Sequence, residues 1–168
     1  DIYAGYKIMP NLQEHQLRVA AVAQQIIDSF DRALDEAAVV TACLLHDMGN
    51  IIKFDLPKFP QFLESAGLDY WLGVQREMRA KYGSDEHVAN LQIARELEVF
   101  PGAYACMQAI GFSRAKDNVR DESFEHKVCC YADQRVGPMG VLFLDERLAD
   151  GRRRYEGSTR SSMNCPPT

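Results

Sequence analysis

Apolar positions near the start of the chain fall into a helical rhythm. Ile8, Leu12, Val19, Val22 and Ile26 are separated by four, seven, three and four residues, the spacing of one helix face. His15 fills the missing position in that stripe, so its side chain is expected to point at the core. Pro10 opens the segment, and Asn11 with Glu14 three residues on predicts a capping box at the helix start. A second helix is expected from Asp35 to Leu45. It is apolar on nearly every side, as a central buried helix would be. It runs into His46-Asp47-Met48-Gly49, where Gly49 is the natural stop.

Residues 51 to 70 are broken by Pro57, Pro60 and Gly67 into short pieces, a helix or two over the top of the core. Helices are predicted over Trp71–Lys81, over Asp85–Val99 with Pro101 and Gly102 as the stop, and over Ala103–Ile110. The polar stretch 111 to 122 predicts a loop. Ser123 opens another helix through Val128, Tyr131, Ala132 and Val136, ended by Gly137 and Pro138. A last helix spans Leu142 to Tyr155, weakened by Gly151. No internal repeat and no alternating strand is present. The expected fold is all-α, a single-domain helical bundle over residues 1 to 155, with a mobile tail at 156 to 168.

Composition narrows the function classes. The chain has 168 residues, 46% hydrophobic and 26% charged, the balance of an ordinary globular domain with a full core. A formal net charge of −5 argues against a nucleic-acid partner, whose binding surface should be basic. No apolar run reaches the roughly 18 residues of a membrane span, so no span is expected, and the opening residues give no expectation of a secretion signal. Five cysteines, an odd number with no C-x-x-C pair, predict buried thiols and a reducing cytoplasmic setting.

The candidate chemistry begins at Asp47. A carboxylate at the C-terminal end of a buried helix faces the negative end of its dipole, and without compensation it costs several kcal/mol or takes up a proton. A bound cation removes both problems, and His46 beside it adds a neutral nitrogen. His15 lies on an inward face of another helix. Asp133 shares a face with Cys129 and Val136 and is expected to be buried too. Four inward groups are most simply satisfied by one shared ion.

The order His15, His46-Asp47, Asp133 resembles the H…HD…D signature of the HD-domain superfamily of metal-dependent phosphohydrolases. The surrounding words EHQLRVAAVAQQI, LLHDMGNIIKF and CCYADQRVGP are similar to the family's, as is LDERLADGRRRY near the end. The resemblance implies that these four residues hold one divalent ion (Mn, Fe, Co, Ni, Zn or Mg) in a helical bundle. It implies metal-assisted hydrolysis of a nucleotide or other small phosphate ester, with Asp47 and Asp133 able to accept a proton. Phosphate contacts are expected from Arg18 and Lys53, with Arg135, Arg114 and Lys116 as weaker candidates. Asn50 stands where many relatives carry Lys or Glu, and would orient a water or substrate oxygen. His87, in a first helical turn that favours a neutral ring, is expected to line the site or to help a second ion. His126 is roughly 10 Å along the axis from Asp133 and is expected to face solvent. The competing functions are a metal-containing binding or regulatory module with little turnover, a two-iron oxygenase that would need one more histidine, and a structural bundle with mutually satisfied His and Asp. A small phosphorylated substrate is the expected partner, and a homodimer is compatible with the sequence.

Overall fold

A computed structural model describes residues 1–111, 114–149 and 152. After a single helical turn, α1 (Ile2–Gly5), the long helix α2 spans Pro10–Asp28. Pro10 occupies its first turn, where a fixed φ and a missing N–H cost nothing. The helix therefore starts one residue before Asn11. Met9 is the N-cap and makes no side-chain cap bond, so the expected capping box does not form; Glu14 pairs with Arg18 instead, at 2.8 Å. The buried face of α2 carries Leu12, Gln16, Val19, Ala20 and Ala23. Gln16 thus sits fully within the stripe, and His15 lies at its edge with 15% of its side chain exposed.

Helix α3 (Glu36–Leu45) is capped by Asp35, whose carboxylate accepts from the Ala38 N–H at 2.9 Å. It packs against α2, α6 (Pro101–Ala109) and α8 (Phe124–Arg135), and so forms the centre of the bundle. Small residues allow these helices to approach closely: Ala38, Val39, Ala42 and Cys43 are buried almost completely. The helix ends at Leu45, and His46 is its C-cap.

From Asn50 to Ala66 the chain makes four short 3₁₀ turns, with Pro57 and Pro60 near the starts of two of them. No α-helix forms until α4 (Gly67–Tyr82), which is pinned by the Trp71 indole donating to the Leu63 carbonyl at 2.9 Å. Helix α5 (Glu86–Glu96) begins at Asp85, which caps the Val88 N–H. Its first turns lie against the segment that follows α3. A Cβ on Gly49 would fall 2.7 Å from the Ala89 Cβ and 3.3 Å from the Glu86 carbonyl oxygen. Gly49 has an ordinary φ of −96° and stands four residues past the end of α3. Its role is therefore to let α5 approach, not to stop a helix.

The 111 to 122 stretch holds a helix, α7 (Ala115–Arg120), where a loop was expected. It lacks an apolar stripe, since Val119 is 78% exposed, so periodicity could not reveal it. Asn118 anchors it by donating to the Ala109 carbonyl at 2.7 Å. Ser123 caps α8 as the sequence predicts. After α8 a two-residue antiparallel ribbon pairs Val136 with Val141 and Gly137 with Gly140, too short for any alternation to show in sequence. Helical structure resumes over 144–149. The remainder of the expected last helix, and the boundary at 155/156, lie outside the described residues. Among the described residues the fold is all-α apart from that ribbon. Cys43, Cys106, Cys129 and Cys130 are buried free thiols.

Candidate metal centre

Three elements bring four side chains together. Helix α2 supplies His15, the turn after α3 supplies His46 and Asp47, and α8 supplies Asp133. His15 Nε2 lies 3.2 Å from Asp133 Oδ1 and 3.5 Å from Asp47 Oδ2. His46 Nε2 lies 3.4 Å from Asp133 Oδ1 and 3.7 Å from Asp47 Oδ1. Ligand atoms of His15, His46 and Asp47 all fall within 4.8 Å of one another. Two ligands bound about 2.1 Å from one ion would stand about 3.0 to 3.4 Å apart, depending on geometry. The imidazole–carboxylate separations fall close to that range; His15, His46 and Asp47 form the group able to hold an ion, and Asp133 lies beside the two imidazoles.

The tautomer of His46 sharpens the point. Its Nδ1–H donates to the Cys43 carbonyl at 2.8 Å, which leaves Nε2 as the bare lone pair of a neutral ring. That nitrogen is buried and has no hydrogen-bond partner. It faces carboxylate oxygens, so lone pairs confront lone pairs unless a cation lies between them. In the protein alone a proton serves: burial pulls the His46 pKa down, but Asp47 and Asp133 outweigh it and push it up to about 9. Burial likewise works to raise Asp133, yet the hydrogen bond with His15 and the charges of the two imidazoles hold its carboxyl well below the usual range. Neutral imidazole nitrogens and carboxylates are ligands that divalent transition metals accept.

The other expected site residues divide. Asn50 is buried in the 3₁₀ turn beginning three residues after Asp47. His87 lies in the first turn of α5, and its Nε2 is also buried and without a hydrogen-bond partner. Arg18 stands one turn beyond His15, partly exposed and paired with Glu14. Lys53 is half exposed and paired with Glu86 at 3.2 Å. Arg135 is carried away from the four residues. Two positions along α8 from Asp133 turn it to about the opposite side, where it donates to the Leu142 carbonyl at 2.7 Å and to the Tyr131 hydroxyl at 3.0 Å. There it borders a groove with Val22 and Ile26 at the far end of α2. Arg114 and Lys116 are exposed. His126 is half-buried rather than solvent-facing, with Nδ1 2.6 Å from Asp121 Oδ2.

Two residues at the centre escaped the sequence pattern. Gln16 is fully buried, and its Oε1 accepts from the Asp47 N–H at 3.3 Å. Asn90 is 5% exposed, and its Oδ1 accepts from the Gly49 N–H at 2.5 Å. The available signal was a polar residue on each buried face: Gln16 has Leu12 and Val19 at i−4 and i+3, and Asn90 has Ile93 and Ala94 at i+3 and i+4.

A family model for the HD domain matches residues 12–100, more than half of the 168-residue chain. No curated protein and no solved structure matches the chain. The matched span includes His15, His46 and Asp47 and ends before Asp133, which the fold returns to the same place on α8. With the first histidine and the His-Asp doublet in the matched span and gathered at one point of a helical bundle, the chain belongs to the HD-domain family.

Proposed function

We propose that this protein is a divalent-metal-dependent phosphohydrolase acting on a nucleotide or another small phosphate ester, with His15, His46, Asp47 and Asp133 as the ligands of one ion. The observation that carries this is the bare, buried Nε2 of His46, facing two carboxylates that already have a second imidazole beside them. Such a ion supplies Lewis acidity toward a phosphoryl oxygen and lowers the pKa of an attacking water.

The chain's own groups supply the rest. Asp47 and Asp133 are the carboxylates that could accept a proton from an attacking water. His87 presents an unpartnered Nε2 suited to a substrate oxygen. Arg18 and Lys53 provide positive charge at the rim, each already steered by an acidic neighbour, Glu14 and Glu86. Asn50, next to the doublet, orients a water or a substrate oxygen without changing charge. Buried free thiols suit a reducing compartment, so we assign the activity to the cytoplasm.

The test is a panel of nucleoside monophosphates, cyclic nucleotides and aryl phosphate mono- and diesters, assayed with Mn²⁺ or Co²⁺. Phosphate release or diester cleavage is expected, falling by a factor on the order of 100 or more in Asp47→Ala. Tight binding of metal and nucleotide with no hydrolysis of any ester would overturn the enzyme reading and favour a binding or regulatory module.

A further inference from the structure

The doublet stands on irregular backbone. Between the end of α3 and the Phe54 cap of the following turn there is one 3₁₀ turn, and residues 48 to 52 are buried. Buried backbone groups need partners, and here several come from side chains of surrounding helices. The Tyr3 hydroxyl donates to the Leu44 carbonyl at 2.6 Å. Gln75 donates to the Ile51 carbonyl at 2.6 Å and the Phe54 carbonyl at 2.8 Å, and Arg79 binds the Ile52 carbonyl twice. Gln16 takes the Asp47 N–H and Asn90 the Gly49 N–H.

We infer that Gln16 and Asn90 are positioning residues for the ion site, fixing the main chain on which His46 and Asp47 stand. Gln16 is adjacent to His15 on α2, so one rigid helix presents a ligand and grips the backbone of another. Asn90 grips the same turn two residues later, from α5. Neither contacts the four candidate ligands through its side-chain atoms in any hydrogen bond beyond these; each acts through Asp47 or Gly49. Their chemistry fits the place. An amide side chain offers the acceptor oxygen that each main-chain N–H needs. Residues that orient metal ligands in this way typically change metal affinity by about 10- to 100-fold when removed. The inference rests on the ion-binding role proposed above.

The experiment compares wild type, Gln16→Met, Asn90→Leu, Asn90→Asp and Gln75→Met. In metal-free protein, hydrogen exchange is followed by mass spectrometry in peptides covering 46–50 and, as an internal reference, α8. In parallel, Mn²⁺ affinity is measured by calorimetry. Gln16→Met and Asn90→Leu are expected to speed exchange over 46–50 while α8 stays protected, and to weaken Mn²⁺ binding about 10-fold or more. Asn90→Asp keeps the acceptor oxygen and is expected to restore binding to within a few-fold of wild type. Gln75→Met loosens 51–54, beyond the ligands, and is expected to change affinity far less than Gln16→Met. Unchanged exchange in Gln16→Met and Asn90→Leu, or unchanged Mn²⁺ affinity despite faster exchange, would overturn the inference. So would an equal loss of affinity in Gln75→Met, which would mark a general loosening. Wild-type protein that takes up neither Mn²⁺, Co²⁺ nor Zn²⁺ would overturn the ion-binding role and this inference with it, an outcome distinct from variants that bind like wild type.

Discussion

A single imidazole shows how the residue scale sets the chemistry. The Cys43 carbonyl takes the Nδ1–H of His46 and thereby decides which nitrogen is free. Burial removes water from that free nitrogen, and two carboxylates remain as its neighbours. In the protein alone a proton on His46 answers the two carboxylates; a divalent cation would satisfy all three groups at once. The rim residues obey weaker rules. Arg18 and Lys53 are partly solvated and paired with Glu14 and Glu86, and the role proposed for them is ester binding rather than bond breaking. A charge-assisted contact contributes about 1.5 to 3 kcal/mol, or roughly 10- to 100-fold. Arg18→Ala and Lys53→Ala are therefore expected to raise KM for a phosphate ester about 10-fold with kcat changed far less. A fall in kcat at constant KM would assign them another role.

At the scale of elements, the decisive contact is between α5 and the turn after α3. Gly49 leaves room for the Ala89 methyl group and the Glu86 carbonyl, and Asn90 reaches the Gly49 N–H across the same gap. Gly49→Ala inserts a methyl group 2.7 Å from the Ala89 Cβ. It is expected to destabilise the fold by about 1 to 3 kcal/mol, read as a lower urea midpoint, and to weaken metal binding because the doublet shifts with its turn. An unchanged midpoint and affinity would show that α5 yields freely. This contact also marks where sequence patterns stop being informative. Helices with an apolar face or a cap announce themselves, as α2, α3, α5 and α8 do. The His15, His46, Asp47 and Asp133 cluster was legible because polar groups on inward faces need partners. Gly49 looked like a helix stop because its real neighbour, Ala89, is remote in sequence. Arg135 seemed near Asp133 along the chain, but the helical turn separates them. Helix α7 has no buried apolar stripe, so nothing in its spacing distinguished it from a loop.

Over the whole molecule, long-range side-chain bonds tie outer elements to the bundle that holds the site. Glu96 on α5 accepts from the Tyr6 hydroxyl at 3.0 Å, Lys81 at 2.9 Å and the Tyr82 hydroxyl at 2.7 Å. The bond from Tyr82, then that from Lys81, hold its carboxyl below the ordinary value, against the opposing effect of burial. A carboxyl lowered on folding contributes stability above its unfolded pKa, and that contribution is lost as pH falls through the folded value. Wild type is therefore expected to exceed Glu96→Gln in urea midpoint at pH 6 to 7, with the gap closing as the pH drops below about 4. A gap that does not narrow as the pH falls would contradict the ionic origin. The buried thiols make a second global report: Cys43, Cys106, Cys129 and Cys130 are expected to resist alkylation in the native protein and to react on unfolding, and rapid native labelling at any of them would show that the core opens.

The central claim is that side chains from α2, the α3 turn and α8 share one divalent ion. Equilibrium dialysis against Mn²⁺, with metal content measured by elemental analysis, tests it most directly. One ion per wild-type chain is expected, with uptake at the same free metal concentration largely lost in each of His15→Ala, His46→Ala, Asp47→Ala and Asp133→Ala. Wild-type uptake of one ion together with undiminished uptake by folded Asp133→Ala would contradict the account, because α8 would then stand outside the centre.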